Sequence, residues 1–243
     1  MVRALLCRGL LVGLIGGVLA FVFAHYFGEP QVDHAIAFEG AREVALGETP
    51  AGEIVSRSVQ SSFGLLTGVC IYGLAFGGLF ALSFAAAHGR IARVRPRTTA
   101  AILALTGYLV VFVVPMTKYP ANPPAIGNPD TIGRRTELYL AMLAISILGV
   151  IAAYRVGRSL VARWDPWNAV VVALGVYLVI IVGGEILLPS VHETPDGFSA
   201  DALWRFRMAS LGIQATLWAT LGLGFGALAE RALAARRNVP QPA

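Results

Sequence analysis

Six long, predominantly apolar stretches dictate what this chain can become. They run at about 5–26, 62–87, 100–117, 137–154, 167–188 and 208–229. An α-helix rises about 1.5 Å per residue, so roughly 20 apolar residues cross the ~30 Å hydrocarbon layer of a bilayer. In lipid every backbone N–H and C=O must be paired within the chain, which leaves helices and closed barrels as the spanning structures. Apolar runs of this length predict helices. The expected fold is therefore all-α: a polytopic helical membrane protein with about six transmembrane helices. Only 14% of the residues are charged and 56% are hydrophobic, whereas soluble domains average about a quarter charged. Six spans and short loops consume nearly the whole length, so residues 1–243 read as a single membrane domain.

Charge placement predicts the orientation. Arg3 and Arg8, Arg90, Arg93, Arg95 and Arg97, Arg155, Arg158 and Arg163, and Arg231, Arg236 and Arg237 fall on one side, against the acids Asp165 and Glu230. The other side holds seven basic residues and the remaining twelve acids. Basic residues in short loops stay in the cytoplasm, so both termini are expected there. The net charge of +5 then reflects topology and contact with anionic headgroups, and no nucleic-acid partner is expected. The first run follows arginines as a signal peptide does. It continues to Phe27, however, and no small-x-small cleavage site precedes Gly28-Glu29-Pro30, so it reads as a span.

Small residues recur at four-residue spacing: Gly9, Gly13 and Gly17; Gly64 and Gly68; Gly73 and Gly77; Gly222 and Gly226. Such faces let helix backbones approach closely, within one chain or across a homodimer. Cys7 and Cys70 lie inside apolar runs and read as small packing residues. A weak threefold pattern accompanies the spans. Pro30, Pro115 and Pro189 open the three connections on the acidic side, and Arg57, Arg134 with Arg135, and Arg205 with Arg207 open the returning spans. Gln60 and Ser61, like Ser210 and Gln214, follow on the same helical face.

The candidate chemistry lies on the acidic side. His25 and Glu29 are four apart, with Asp33, His34 and Glu39 beyond them; Glu185, His192, Glu193 and Asp196 cluster near the end of the fifth span. Imidazole nitrogens and carboxylates suit Co²⁺, Ni²⁺ or Zn²⁺, and an acidic mouth concentrates cations. The outer-mouth acids are Asp33, Glu39 and Asp196. Exposed His and Glu in loops are ordinarily just solvated, and no HxH, HxxxH or CxxC spacing occurs. Glu185 stands out because it interrupts the apolar run Val182–Leu188, and an acid inside a span is a functional candidate. Pairing with Arg57, Arg135 or Arg207 as a structural brace is the alternative. The connection through Lys118, Asn122, Pro123 and Pro124 holds five prolines counted from Pro115, which forbid regular helix. It reads as a gating loop or an ordered cap. No nucleophile elbow, phosphate-binding loop or HExxH is present, so neither an enzyme nor a bound cofactor is expected.

The stretches Gly28-Glu29-Pro30 through Glu39, Lys118 through Arg135, and Leu188 through Ser210 resemble the CbtA family of proposed bacterial cobalt transporter subunits. The resemblance runs nearly end to end. It implies a multi-pass subunit of the bacterial cytoplasmic membrane that brings Co²⁺ in for cobalamin synthesis. It also implies a small partner, CbtB, with one span and a histidine-rich terminus; this chain has no histidine-rich tract of its own. The family is usually described with five spans, whereas the charge argument requires six.

Three readings compete. In a divalent-cation permease subunit, metal is gathered by the acidic face and partly dehydrated by His25, Glu29, Glu185, His192 or Glu193. A membrane-embedded lipid-processing enzyme requires a paired-acid motif. A scaffold subunit without a site requires every acid on that side to be matched by an arginine.

Overall fold

A computed structural model describes residues 2–47, 54–90, 94–124, 126–191 and 193–237. Among them six helices are long and apolar enough to cross a membrane, as the apolar runs predict: α1 (Val2–Ala45), α2 (Arg57–Ala87), α3 (Pro96–Lys118), α4 (Ile132–Leu160), α5 (Pro166–Leu187) and α6 (Ala200–Ala234). Their starts follow local chemistry. Pro96 and Pro166 open α3 and α5, where a missing N–H costs nothing. Asp165 caps α5 by accepting from Trp167 N at 2.9 Å, and Ser199 caps α6 by accepting from Ala202 N at 3.3 Å.

The first helix outlasts its apolar run by the widest margin. It does not stop near residue 26; at 44 residues it is about 66 Å long, more than twice the hydrocarbon thickness. Its polar second half continues as helix past the apolar layer. Pro30 therefore lies within a helix, as does Pro115, and of the three prolines only Pro189 follows a helix end. Proline inside a helix collides with the carbonyl four residues back. Both helices widen into a π-turn just there, at Ala24–Gly28 before Pro30 and at Tyr108–Val113 before Pro115. Val111, four residues before Pro115, turns its carbonyl to the Tyr139 hydroxyl at 3.5 Å.

The chain divides into two compact units. The first comprises the described residues of Met1–Tyr108 and Ser199–Ala243, the second those of Leu109–Phe198. In the first, α1 and α2 touch backbone to backbone. A Cβ on Gly9 would stand 2.3 Å from the Gly77 carbonyl oxygen, and one on Gly13 would stand 2.2 Å from that of Gly73. These glycine faces thus pack within the chain. Gly222 and Gly226 do the same against Ala104, Ala100 and Arg97 of α3, whereas Gly68 faces open space. Larger rings fill the remaining glycine notches: Trp218 lies against Gly107 and Phe23 against Gly212. Phe80, Phe84 and Phe225 complete the core with edge-to-face contacts. Cys70 packs against Gly17, and Cys7 is exposed.

In the second unit α4 packs on α5 through Gly149, Gly157 and Gly184, against Tyr177, Ala173 and Met142 respectively. The fully buried Ser146 shares a hydrogen bond of 2.9 Å with the Tyr177 hydroxyl. Neither hydroxyl can be left unpaired in an apolar core, so this pair fixes the rotation of the two helices.

Candidate functional site

In the first unit the polar residues of α1 line up at four-residue spacing. His25, Glu29 and Asp33 share a face, and Arg57 at the start of α2 bridges two of them. Its Nη2 pairs with Glu29 and its Nε donates to Asp33 at 2.9 Å. The Glu29 side chain is only 12% exposed and that of Asp33 63%, so the inner carboxylate is the one that depends on the guanidinium for its charge balance. His25 lies in the π-turn and donates from Nδ1 to the Ser61 carbonyl at 3.2 Å, itself in the π-turn Gln60–Gly64 of α2. That bond requires a proton on Nδ1, so in the neutral ring Nε2 is the acceptor, the arrangement a metal-binding imidazole adopts. Phe21 and Tyr26 flank the ring, at centroid distances of 5.8 and 5.6 Å. Gln60 and Ser61 do not reach into the bundle with their side chains; these bond the chain's own carbonyls at Val55 and Ser58.

The second unit brings Glu185 to the last residues of α3. Thr117 Oγ1 donates to Glu185 Oε1 at 2.6 Å. Lys118 reaches the same residue, but at its backbone carbonyl, 2.6 Å from Nζ, and also contacts Ser190 Oγ at 3.2 Å. Within this unit, among the described residues, no ion pair joins the Glu185 carboxylate to a lysine or arginine. Arg57 is held by Glu29 and Asp33, and Arg135 pairs with Glu193 at 3.2 Å. Tyr119 donates to the Pro189 carbonyl at 2.8 Å. Burial, and then the nearby charge of Glu185, push its phenol above the ordinary value.

Glu193 organises the connection between α3 and α4. It accepts from Asn128 N at 3.3 Å and faces Arg135. The Thr131 hydroxyl chiefly holds its carboxyl below the usual glutamate range; burial opposes this, and the Asn128 amide and Arg135 assist it. Gly127 adopts φ +129° with Arg135 packed where a side chain would stand, so this turn admits only glycine without strain. Pro123 and Ile126 are buried, Pro124 is exposed and Asn122 is half-buried. The proline-rich stretch is thus an ordered segment tied to the end of α5, with only the short turn Pro129–Thr131 helical.

Of the other residues singled out by sequence, Glu39 and Asp196 are exposed and His192 lies outside the described residues. Among the described residues no three His, Cys, Asp or Glu side chains come together as a ready-made metal cage. Sequence reasoning missed Thr117 as the partner of Glu185, although it immediately precedes Lys118. It also missed the Ser61 carbonyl as the partner of His25, since a backbone acceptor carries no residue signature.

Six apolar helices, with polar side chains gathered at their ends, define a multi-pass helical membrane protein. The chain belongs to the CbtA family: the family model described as "Probable cobalt transporter subunit (CbtA)" matches residues 2–230. No curated protein and no solved structure matches the chain.

Proposed function

We propose that this chain is the membrane subunit of a cobalt uptake system in the bacterial cytoplasmic membrane, not an enzyme, with both termini cytoplasmic. It supplies cobalamin synthesis and works with a small, single-span, histidine-rich CbtB-like subunit. The family membership supports the cargo, and the arginine-rich turns support the orientation. One observation carries the site. Glu29, Asp33, Glu193 and Asp201 each face an arginine, while Glu185, at the end of an apolar helix, meets a hydroxyl.

A carboxylate held by a neutral donor keeps its negative charge and its remaining lone pairs for an arriving cation. Glu185 is thus the first transport ligand, with His192 and Glu193 following in sequence and His25 and Glu29 as a second station in the other unit. Asp33, Glu39 and Asp196 gather cations at the mouth. The segment through Lys118, Asn122, Pro123 and Pro124 gates access to Glu185, because Lys118 bonds the carbonyl of that residue. Such sites bind weakly enough to release. Without a nucleotide-binding motif in the sequence, the drive is the inside-negative potential, about 2.3 kcal/mol per charge per 100 mV and so about twice that for a divalent ion.

The test is radiolabelled cobalt uptake in cells lacking other cobalt importers, with wild type and Glu185→Gln at equal protein level. Uptake with the wild type that collapses in the variant supports the proposal; equal uptake overturns the assignment of Glu185. The matched acid–arginine pairs favour a second reading, a scaffold subunit without a site, in which the variant lowers protein level and the chain contributes no flux.

A further inference from the structure

A lateral cleft in the first unit, between α1 and the start of α6, has no part in the cobalt reading. Its volume is about 440 Å³, and its lining includes Phe23, Tyr26, Phe27, Trp204, Arg205 and Met208. That volume falls within the range of small-molecule sites, and so does the pattern of an apolar wall with a few polar groups. The wall is built: Phe23 is seated in the notch at Gly212 and lies against Phe27, tilted by 35° at a centroid distance of 4.6 Å. Tyr26, Phe27 and Trp204 are 70%, 58% and 62% exposed, which puts large rings on a membrane helix in contact with its surroundings. Tyr and Trp concentrate at the headgroup level of a bilayer.

Arg205 supplies the charge. Its Nε forms an ion pair with Asp201 at 2.8 Å, and its side chain is 65% exposed. The guanidinium has four further N–H donors in a planar fork suited to phosphate. The first turn of α6, capped by Ser199, adds the positive end of a helix dipole close by.

We propose that this cleft is a binding site for one anionic phospholipid, with an acyl chain along Phe23, Phe27 and Met208 and the headgroup phosphate on Arg205. An acyl chain that moves from bilayer to cleft exchanges one apolar medium for another, so hydrophobic transfer contributes little. Fit in the cleft fixes whether a lipid stays, and Arg205 fixes which headgroup stays.

The experiment reconstitutes the full chain in nanodiscs of equal phosphatidylglycerol and phosphatidylcholine, extracts it into mild detergent, and counts retained lipids by native mass spectrometry. Wild type retains one lipid per chain with about a fivefold preference for phosphatidylglycerol, the size of one basic residue's effect at an anionic surface. Arg205→Ala keeps the lipid and loses the preference, Met208→Trp fills the cleft and loses the lipid, and Arg134→Ala behaves as wild type. Thermal unfolding of each variant identifies any that has lost its fold. If Met208→Trp unfolds, Arg205→Ala still decides the matter. No retained lipid, a preference that survives Arg205→Ala, or a stoichiometric protein chain on the wild type in place of lipid overturns the proposal.

Discussion

Replacing Gly77 with alanine tests the close approach of α1 and α2. The added Cβ would stand 2.1 Å from the Gly9 carbonyl oxygen and 2.9 Å from Gly13 Cα. Ordinary contact begins near 3.4 Å, so the helices must separate locally by about 1.3 Å. The obstacle is backbone and cannot swing aside as a side chain would. Overpacking of this kind costs about 1–3 kcal/mol, and the upper part of the range applies where backbone must move. Alanine's better helix propensity returns up to about 1 kcal/mol, leaving a net loss of about 2 kcal/mol. Gly68→Ala is the internal control, because nothing lies within 4 Å of its Cβ. It is expected to be neutral or slightly stabilising. Denaturant unfolding of the purified protein in detergent, followed by tryptophan fluorescence, measures both. Equal stability of the two variants, or a Gly77→Ala loss below about 0.5 kcal/mol, would refute the backbone-contact reasoning.

Three further outcomes follow from the polar ends of the helices. Arg57→Ala leaves the largely buried Glu29 carboxylate without its counter-charge and is expected to destabilise by about 2 kcal/mol, between the values for exposed and fully buried pairs; a Glu29→Gln, Arg57→Ala double variant recovers much of this in the same unfolding assay. Glu185→Gln reduces cobalt uptake at least about tenfold without lowering protein level, whereas Thr117→Val, which removes only the orienting hydroxyl, reduces it about threefold; both rest on a tenfold change corresponding to about 1.4 kcal/mol. Because the folded state holds the Glu193 carboxyl below its ordinary range, its docking contributes fully above the unfolded value near pH 4 and is lost as pH falls through the depressed one. Hydrogen exchange in residues 126–131 and 193–198 is expected to rise below about pH 4 in wild type and to lose that dependence in Glu193→Gln.

How much of this was legible depends on which force sets each feature. The six spans were, because an apolar run of sufficient length has no stable alternative in lipid. The end of α1 was not: residues 29–45 are polar, and hydropathy reports only the part that lipid surrounds, whereas helical hydrogen bonding continues through Ala45. Glycine spacing told which faces were thin, and Gly9, Gly13, Gly73 and Gly77 met as such faces do. It could not tell Gly68, which meets nothing, from its neighbours, since the four-residue period is the same. Pro30 and Pro115 signalled breaks, yet the helix continues through each, with a π-turn just before it. The spacing of His25 and Glu29 was readable, but the capture of Glu29 by Arg57 depends on how α2 returns, which no local pattern encodes. For the same reason Glu185 was recognisable as a buried-run acid while its partner, Thr117, was not.

The most direct test of the central claim is radiolabelled cobalt flux into proteoliposomes holding the purified chain, alone and with its single-span histidine-rich partner, under an imposed inside-negative potential. The account predicts time-dependent accumulation that follows the potential and collapses with Glu185→Gln. Folded protein with its partner and a verified potential, but no accumulation above empty liposomes, would contradict it.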